Sequence, residues 1–320
     1  MKILITGGAG FVGSHLVDRY LRDGSEVVAV DNFITGAREN LAAAFKEPRF
    51  HFIEADVTGA WDDVKEALRN QDRPPDALLH FASPASPVDY ANHPLETLSV
   101  NSLGTERCCR LALEWGARLL FASTSECYGD PKEHPQREEY WGNVNPNGPR
   151  SCYDEAKRYG EALVFAYVRK YDLDARVIRI FNTYGPRMRR NDGRVVPNFI
   201  AQALEGKPLT VYGEGKQTRS FCYVDDLVDG IVRCVASDET RGQVVNLGNP
   251  DEHTIEEFAE IVSRIVGRPL KREHRPMPVD DPGRRCPDIS RAKTVLDWYP
   301  RVTLEEGLRR TVSAFSLPTI

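Results

Sequence analysis

A glycine-rich turn near the start of the chain limits the possible folds more than any other feature. Residues 2–6 form a short apolar run typical of a buried parallel strand, and a helix is predicted over residues 14–22. Glycines stand between them at positions 7, 10 and 13. Gly7 permits a tight turn, Gly10 lets the backbone approach a pyrophosphate, and Gly13 allows close helix packing. Because a helix start also offers free N–H groups to phosphates, the pattern predicts a dinucleotide-binding turn.

An acidic residue at the end of the second predicted strand extends this signature. That strand covers residues 26–30 and is followed by Asp31. A carboxylate here accepts hydrogen bonds from ribose hydroxyls and repels a 2′-phosphate, so Asp31 favours NAD over NADP. Arg38 argues the other way, because a nearby arginine can accommodate that phosphate. Asp56 and Val57, after the third strand, are predicted to flank the adenine, with a loop cap as the alternative role of Asp56.

Strands and helices alternate through the chain, which favours the α/β class. Further strands are predicted at residues 50–53, 77–81, 118–122, 176–181 and 244–247. This order predicts a doubly wound parallel-sheet Rossmann domain that binds ligands at the carboxyl ends of its strands. Prolines and glycines after residue 182 predict a smaller, discontinuous C-terminal substrate-binding lobe. The NAD-binding domain is then residues 1–182 plus 221–249, and the lobe is residues 183–220 plus 250–320.

Tyr153 and Lys157 stand four residues apart at the start of a predicted helix, so their side chains share one face. A free phenol has a pKa of about 10 and is a poor base at neutral pH. A lysine ammonium one turn away stabilises the phenolate, so we expect it to lower the pKa of the tyrosine. Such a pair is common on amphipathic helices. Beside a dinucleotide-binding turn, it predicts a catalytic proton-transfer site.

Charge and cysteine content exclude several other classes. The 320 residues carry a net charge of −5, so nucleic acid is not expected as a partner. The seven cysteines lack CxxC spacing and are expected to be reduced thiols of a cytoplasmic protein. The seven histidines form no metal-spaced cluster, and no metal is predicted. We expect no signal peptide, since a strand begins at Lys2, and no membrane anchor, since no apolar run is long enough.

Longer motifs make the chain similar to the extended short-chain dehydrogenase/reductase family that remodels nucleotide sugars. They are GGAGFVGSHL at 7–16, DNF at 31–33, TG at 35–36, YGD at 128–130, YDE at 153–155, FNTYGPRM at 181–188 and VNLGNP at 245–250. Within that family the chain most resembles the UDP-glucuronate decarboxylases, also called UDP-xylose synthases. The motifs for that likeness are ASPASP at 82–87, TSE at 124–126 and NDGRVV at 191–196.

The resemblance implies a role for individual residues. The expected NAD-binding residues are Gly7, Gly10, Phe11, Val12, Gly13, Asp31, Asn32, Thr35, Gly36, Asp56, Val57, Phe81, Ser83, Tyr153 and Lys157. The expected catalytic residues are Tyr153, Lys157, Thr124, Ser125, Glu126 and Arg219. The expected substrate-binding residues are Ser86, Thr124, Asn182, Arg187, Arg194, Val195, Tyr212, Arg219 and Arg285. A homodimer built from the helices near 94–115 and 153–170 is also implied.

The implied reaction converts UDP-glucuronate to UDP-xylose. Oxidation of the sugar C4 to a ketone turns the C6 carboxylate into a β-keto acid, which can lose carbon dioxide. Tyr153 would take the 4-hydroxyl proton, and with Thr124 it would stabilise the C4 oxyanion. Reduction at C4 then completes the cycle, so NAD is expected to be tightly bound and recycled. Glu126 could position the sugar or a water that protonates C5, and Arg219 could hold the carboxylate or a phosphate.

Three other functions fit parts of the sequence. A nucleotide-sugar 4,6-dehydratase would share the scaffold and the Tyr/Lys pair, but its reaction must expel a 6-hydroxyl. Dehydratases use an Asp-Glu pair immediately after the threonine for this step, whereas this chain has Ser125 and Glu126. A 4-epimerase usually lacks that glutamate. A non-catalytic NAD-binding regulatory protein is the alternative outside enzymes, and the complete set of Thr124, Tyr153 and Lys157 argues against it. Arg284 and Arg285 could form a solvated salt-bridged loop, although phosphate binding is favoured.

Overall fold

A computed structural model describes residues 1–59, 61–69, 73–277 and 279–316. The strands are β1 Lys2–Thr6, β2 Glu26–Asp31, β3 Phe50–Glu54, β4 Ala77–His80, β5 Arg118–Thr124, β6 Ala175–Ile180, β7 Thr183–Tyr184, β8 Leu209–Tyr212, β9 Thr218–Ser220, β10 Cys222–Tyr223, β11 Val244–Leu247, β12 Glu252–Thr254, β13 Arg272–Arg275 and β14 Arg284–Arg285. The helices are α1 Phe11–Arg22, α2 Asp62–Arg69, α3 Pro87–Asn92, α4 Pro94–Ser99, α5 Thr105–Trp115, α6 Ser151–Tyr171, α7 Val195–Glu205, α8 Val224–Ala236, α9 Ile255–Ile265, α10 Ser290–Leu296 and α11 Leu304–Ser316.

Seven parallel strands form the central sheet in the order β11-β6-β5-β4-β1-β2-β3. This confirms the predicted doubly wound α/β fold, including the return of β11 to the sheet beside β6. The order reverses at β1, so the crevice at the carboxyl ends of β1 and β4 is the expected ligand site. Strand β5 is two residues longer than predicted and ends at Thr124, level with Ile180 of β6.

Both faces of the sheet are covered, because successive side chains of each apolar strand point to opposite faces. In β1, Ile3 and Ile5 are buried in one hydrophobic cluster that includes side chains of α1 and α8. Leu4 is buried in a second cluster, which includes side chains of α5 and α6. Because hydrophobic clusters cover both faces of β1, its apolar residues follow one another instead of alternating with polar ones.

The segments that follow β6 add three small sheets to this framework. One of them places β9 between β12 and β14 and so brings Arg219 and Arg285 into register with each other. The others pair β7 with β10 and β8 with β13. The division into two lobes stays a prediction, and residues 278 and 317–320 of the predicted second lobe lie outside the described residues.

The helix predicted near residues 94–115 is interrupted. A wider π-helical turn over Val100–Gly104 separates α4 from α5. Over the described residues, we find no helix with the length and apolar character that crossing a membrane requires.

Candidate active site

A cleft of about 1230 Å³ opens at the carboxyl ends of the central strands. This volume exceeds the range of roughly 300–1,000 Å³ for a single small ligand, so two ligands can be held side by side. The cleft is lined by the predicted site residues Gly7, Gly10, Phe11, Val12, Gly13, Thr35, Phe81, Ser83, Ser86, Thr124, Ser125, Glu126, Tyr153, Lys157, Asn182, Arg187, Arg194, Val195, Tyr212, Arg219 and Arg285. The structure thus brings residues from most of the chain into one site.

The glycine turn leads directly from β1 into α1, as predicted. Gly7 has a φ of +71°, and a Cβ there would lie 2.7 Å from the backbone of Ala82, so a side chain is excluded on two grounds. A Cβ on Gly13 would lie 2.0 Å from the carbonyl oxygen of Gly7. Helix α1 therefore starts closer to the turn than any other residue at position 13 would permit. Its N-cap is Gly10, and its first residues line the cleft, where a helix start offers free N–H groups.

Asp31 ends β2 and is buried. Its carboxylate accepts hydrogen bonds from the backbone N–H groups of Ala9 at 2.9 Å and Phe33 at 2.8 Å. Burial raises the pKa of Asp31, and these hydrogen bonds oppose the rise. The side chain lines a second cavity of about 280 Å³ that shares Gly7, Gly10 and Phe81 with the cleft. The carboxylate is thus fixed in place as an acceptor at the edge of a small apolar recess.

The neighbours of Asp31 refine three predictions. Asn32, Asp56 and Val57 line the same smaller cavity. Asp56 also caps its own turn, because its carboxylate accepts a hydrogen bond from the backbone N–H of Thr58 at 2.7 Å. Gly36, in contrast, lines neither cavity of the described chain, and its place is explained by packing, since a Cβ there would lie 2.9 Å from the Asp31 carboxylate.

Arg38, the residue that argued for NADP, lines neither cavity of the described chain. Its guanidinium carbon lies 4.3 Å from the ring centroid of Phe45, in a cation–π contact. The glycine turn, the N–H groups of α1 and the fixed acceptor Asp31 together fit a dinucleotide whose adenosine ribose carries a free 2′-hydroxyl. The residues present therefore fit NAD.

Thr124, Tyr153 and Lys157 meet beside this cofactor site. Thr124 is the last residue of β5, and Tyr153 and Lys157 lie on the first turns of α6. Thr124 and Tyr153 both line the cleft, and the Thr124 hydroxyl accepts a hydrogen bond from the backbone N–H of Glu126 at 3.2 Å. Lys157 Nζ lies 5.9 Å from the centre of the Tyr153 ring and donates to the Ala122 carbonyl oxygen at 2.8 Å. The ring of Tyr90 stacks on that of Tyr153, with centroids 5.2 Å apart, and so fixes its orientation.

Burial dominates the protonation of this pair. It raises the pKa of Tyr153, against a smaller opposite effect of the Thr124 side chain. It lowers the pKa of Lys157 to about 7. The expected lowering of the pKa of Tyr153 by Lys157 is not seen, because the lysine ammonium is itself destabilised by burial. The chain thus places a phenol and an amine that changes charge near neutral pH one helical turn apart.

Glu126 is the centre of a partly buried charge network. Its carboxylate contacts the guanidinium groups of both Arg150 and Arg285. Burial alone would raise the pKa of Glu126, but the two arginines outweigh it and hold this pKa well below its usual range. Glu126 is therefore an anion at neutral pH. Burial, reinforced by the charge of Glu126, raises the pKa of the neighbouring Asp154.

The network continues through Asp281 to Arg219. Asp281 lies 3.5 Å from Arg150 Nη1 and 2.9 Å from Arg219 Nη2. Sequence reasoning missed both Arg150 and Asp281, although both line the cleft. Arg285 is buried, so the solvated-loop alternative does not hold for it, whereas Arg284 is exposed. The Nε of Arg285 has no hydrogen-bond partner within the described chain, so a donor is available at this end of the cleft.

The remaining predicted substrate residues also line the cleft. Arg194 forms a bidentate pair with Asp192, at 2.5 and 2.6 Å, and Arg187 pairs with Asp18 at 2.5 Å. Tyr212 is more exposed, at 37% of its surface. Cations thus stand on more than one side of the cleft, which suits a ligand with a diphosphate.

Comparison with known proteins agrees with this geometry. The model of the NAD dependent epimerase/dehydratase family matches residues 3–248. UDP-glucuronic acid decarboxylase 1 of Arabidopsis thaliana is 51% identical over 315 residues, which are 98% of this chain and 70% of that protein. UDP-glucuronic acid decarboxylase 1 of Danio rerio is 52% identical over 315 residues, which are 98% of this chain and 72% of that protein.

Solved structures show the same architecture. The UDP-glucuronic acid 4-epimerase from Bacillus cereus, in complex with UDP-glucuronic acid and NAD, aligns with a TM-score of 0.87 and 29% sequence identity. The alignment covers 98% of each chain. Similarity therefore extends over the whole cleft, on the side of the glycine turn and on the side of the arginines.

Proposed function

Because the chain belongs to the NAD-dependent epimerase/dehydratase family, we propose that it is a decarboxylase that converts UDP-glucuronic acid to UDP-xylose and carbon dioxide. The curated decarboxylases at about 50% identity over nearly the whole chain support this reaction. The substrate is a UDP-sugar with a carboxylate at C6. The observation that carries the choice of reaction is the ionised Glu126 held between Arg150 and Arg285 beside Tyr153.

NAD is the cofactor, and when bound it supplies the oxidation of the sugar C4 and its later reduction. The turn at Gly7 to Gly13 and the start of α1 would hold the pyrophosphate, and Asp31 would accept the ribose hydroxyls. Tyr153 and Lys157 lie at the other end of the site. Because the reaction has no net redox change, we expect the cofactor to remain tightly bound and to be recycled.

Tyr153 accepts the proton of the sugar 4-hydroxyl. The position of Tyr153 and Thr124 in the same cleft supports contact of both hydroxyls with the 4-oxygen. Lys157, with a pKa lowered to about 7, is near its own midpoint at neutral pH, and its ammonium form favours the phenolate. The stack on Tyr90 keeps the phenol from turning away.

Loss of carbon dioxide follows from the 4-ketone of the sugar. The C5–C6 bond breaks, and its electron pair moves onto C5 and the C4 oxygen as an enolate. The hydroxyls of Thr124 and protonated Tyr153 stabilise this oxyanion. A proton from water then adds to C5, so that one proton is taken up and one carbon dioxide leaves for each UDP-xylose formed.

The same residues argue against dehydration. Expulsion of a 6-hydroxyl requires a proton donor next to the leaving group. Ser125 is a poor acid, and Glu126 has lost its proton to the influence of Arg150 and Arg285. Decarboxylation needs no such donor, because carbon dioxide leaves as a neutral molecule. Glu126 thus serves as a fixed anion that orients Arg285 and a water for C5.

The arginines of the cleft divide between the two ends of the substrate. Arg219 and Arg285, adjacent in β9 and β14, would bind the glucuronate carboxylate or the near phosphate. Arg187, Arg194 and Tyr212 would hold the UDP group, together with Asn182, Ser86 and Val195, which line the same cleft. Substrate arrival would replace Asp281 as the partner of Arg219, since both are anions for the same guanidinium.

Proton NMR of the products tests this function. Purified protein should convert UDP-glucuronic acid to UDP-xylose without added NAD. UDP-galacturonic acid would indicate a 4-epimerase, and a 4-keto-6-deoxy sugar from dTDP- or UDP-glucose would indicate a dehydratase. Bound NAD with no turnover of any of these sugars would leave only the regulatory alternative.

We further propose a homodimer formed by the helices of segment 94–115 and α6. Leu98, Leu103 and Tyr159 on these helices expose 42%, 51% and 53% of their surface, which is high for large apolar groups. A Leu103→Glu variant should sediment as a monomer, whereas Tyr299→Glu, at a similarly exposed site on a different segment, should not change the mass. An unchanged mass in the first variant would contradict the interface.

Two further predictions remain proposals. The division into a cofactor lobe and a substrate lobe is supported by the small sheets that carry Arg219 and Arg285 apart from the central sheet. A cytoplasmic location is supported by the seven cysteines, all of which are free thiols.

A further inference from the structure

His134, Glu252 and Cys286 come together away from the catalytic tyrosine. His134 lies in the loop after β5, Glu252 begins β12, and Cys286 directly follows β14. One ligand atom of each residue lies within 4.8 Å of those of the other two. The closest pair is His134 Nε2 and a carboxylate oxygen of Glu252, at 3.0 Å. His134 lies 118 positions before Glu252, and Cys286 lies farther along the chain. No motif spacing in the sequence could therefore reveal the cluster.

We propose that these three side chains bind a divalent cation of the zinc class. An imidazole, a carboxylate and a thiolate are the donors that zinc prefers, and three protein ligands plus water complete a tetrahedron. Around one such ion, ligand atoms lie roughly 3.3–3.6 Å apart, given Zn–N and Zn–S distances of about 2.0–2.3 Å. Since no two ligand atoms of the cluster are more than 4.8 Å apart, a small side-chain rotation would bring all three to these distances.

The surrounding contacts hold the ligands in place. Thr218 donates a hydrogen bond to the other carboxylate oxygen of Glu252, and the backbone N–H of Cys286 donates to the Gln136 side chain at 2.9 Å. Gln136 also pairs through its backbone with the carbonyl of Cys286, so the loop of His134 and the segment of Cys286 are fastened together. Such outer contacts orient ligands toward a metal and raise its affinity.

The thiol of Cys286 donates one hydrogen bond, to a backbone carbonyl oxygen. Cys286 Sγ lies 3.4 Å from the Pro250 carbonyl oxygen, and the residue is buried. A purely structural role would explain the His134–Glu252 pair as an ion pair and the thiol as packing. That role accounts for the hydrogen bond to Pro250 but not for the convergence of three ligand atoms within 4.8 Å, which a shared ion explains.

Binding at this cluster should affect the proposed reaction. Cys286 is adjacent to Arg285, whose guanidinium contacts Glu126 in the cleft. An ion that draws Cys286 toward His134 would shift the backbone that carries Arg285. This consequence depends on the proposed function, but the binding itself does not, so the two are tested separately.

Zinc stoichiometry and cobalt absorption test the site directly. The full-length protein, treated with chelator and dialysed against Zn²⁺, should retain one ion at this cluster, and Co²⁺ should give a thiolate-to-cobalt charge-transfer band. His134→Ala should lower zinc affinity by roughly 10- to 100-fold or more, which is the loss seen even for outer contacts, and Cys286→Ala should abolish the band. Cys152→Ala, at the half-buried thiol next to Tyr153, is the matched control and should leave both unchanged.

The outcomes are decisive for the site. His134 is partly exposed, so its variant should fold as the wild type does, which circular dichroism checks. Equal zinc binding by wild type and His134→Ala, absence of the cobalt band in the wild type, or loss of the band in Cys152→Ala would overturn the proposal. If the site binds zinc but zinc leaves UDP-xylose formation unchanged in the wild type, only the link to Arg285 fails.

Discussion

Arg150 and Glu126 form a partly buried ion pair that joins the residue before helix α6 to the turn after strand β5. Each of these segments also carries a hydroxyl of the proposed reaction, on Tyr153 and Thr124. The pair therefore fixes the separation of the two hydroxyls and, at the same time, keeps Glu126 ionised. We regard Arg150 as a positioning residue, since it acts on the sugar through Glu126.

Replacing Arg150 by Met should change both activity and its pH dependence. A displacement of about 1 Å at a reacting centre can cost on the order of 10²-fold, and we expect a loss of that size in kcat/KM. Removal of one of two arginines also raises the pKa of Glu126, so the carboxylate is protonated at a higher pH. The acid limb of kcat/KM against pH should therefore move to higher pH.

Arg150→Lys is the control for this prediction. It keeps the positive charge but loses the planar fork, so it should preserve the acid limb and lose part of the rate. A purely structural effect would lower kcat/KM by the same factor at every pH. An unchanged acid limb in Arg150→Met would contradict the role given to the pair.

Tyr153→Phe should lose most turnover and keep its cofactor. Proton transfer by a positioned side chain contributes about 10²–10⁴-fold, and the phenylalanine ring preserves the stack on Tyr90. Product formation is followed by NMR, and the NAD content is measured after denaturation. Tyr171→Phe, at an exposed position at the end of the same helix, should behave as the wild type. Near-normal turnover in Tyr153→Phe would exclude the phenol as the base.

Lys157 should make the stability of the protein depend on pH. Its folded-state pKa is lowered from 10.5 to about 7, so the stability that it contributes is present above pH 10.5 and is lost as the pH falls toward 7. Lys157→Met removes this titration. The test uses protein freed of nucleotide and measures the free energy of unfolding of the variant and of the wild type. The value for the variant minus the value for the wild type should increase as the pH is lowered from 10 to 7. A constant difference would mean that Lys157 titrates normally.

Asp31→Asn should weaken NAD binding. The amide cannot accept from both Ala9 and Phe33, and it loses the charge that strengthens a hydrogen bond to ribose. Hydrogen bonds to charged groups contribute about 1.5–3 kcal/mol, which is roughly 10- to 150-fold in Kd. Arg38→Ala should leave the preference for NAD over NADP unchanged, since Arg38 stacks on Phe45. Calorimetric titration with both nucleotides checks the two variants, and a lost preference in Arg38→Ala would contradict this assignment.

The sequence was sufficient where function depends on neighbours along the chain. The glycine turn, the acceptor at the end of β2 and the pair Tyr153 and Lys157 each lie within one strand-to-helix unit, and their spacing determines their geometry. The parallel sheet was also predictable, because strands such as β1 are apolar on both faces. Even the return of β11 to the sheet followed from its short apolar run.

Long-range pairing explains what sequence reasoning missed. Arg150 meets Glu126 across 24 positions, and Asp281 reaches Arg219 across 62 positions. The sequence did offer one signal for Arg150, which lies only three residues before the predicted catalytic Tyr153. The pKa of Tyr153 could not be predicted either, because the effect of Lys157 depends on how deeply both groups are buried.

The central claim is a decarboxylation in which the same bound cofactor oxidises and reduces C4. The most direct test uses UDP-glucuronic acid labelled with deuterium at C4, in ordinary water and without added NAD, with products followed by NMR. The account predicts UDP-xylose that keeps the deuterium at C4 and has gained one solvent proton at C5. UDP-galacturonic acid as the product, or UDP-xylose that has lost the C4 deuterium, would contradict it.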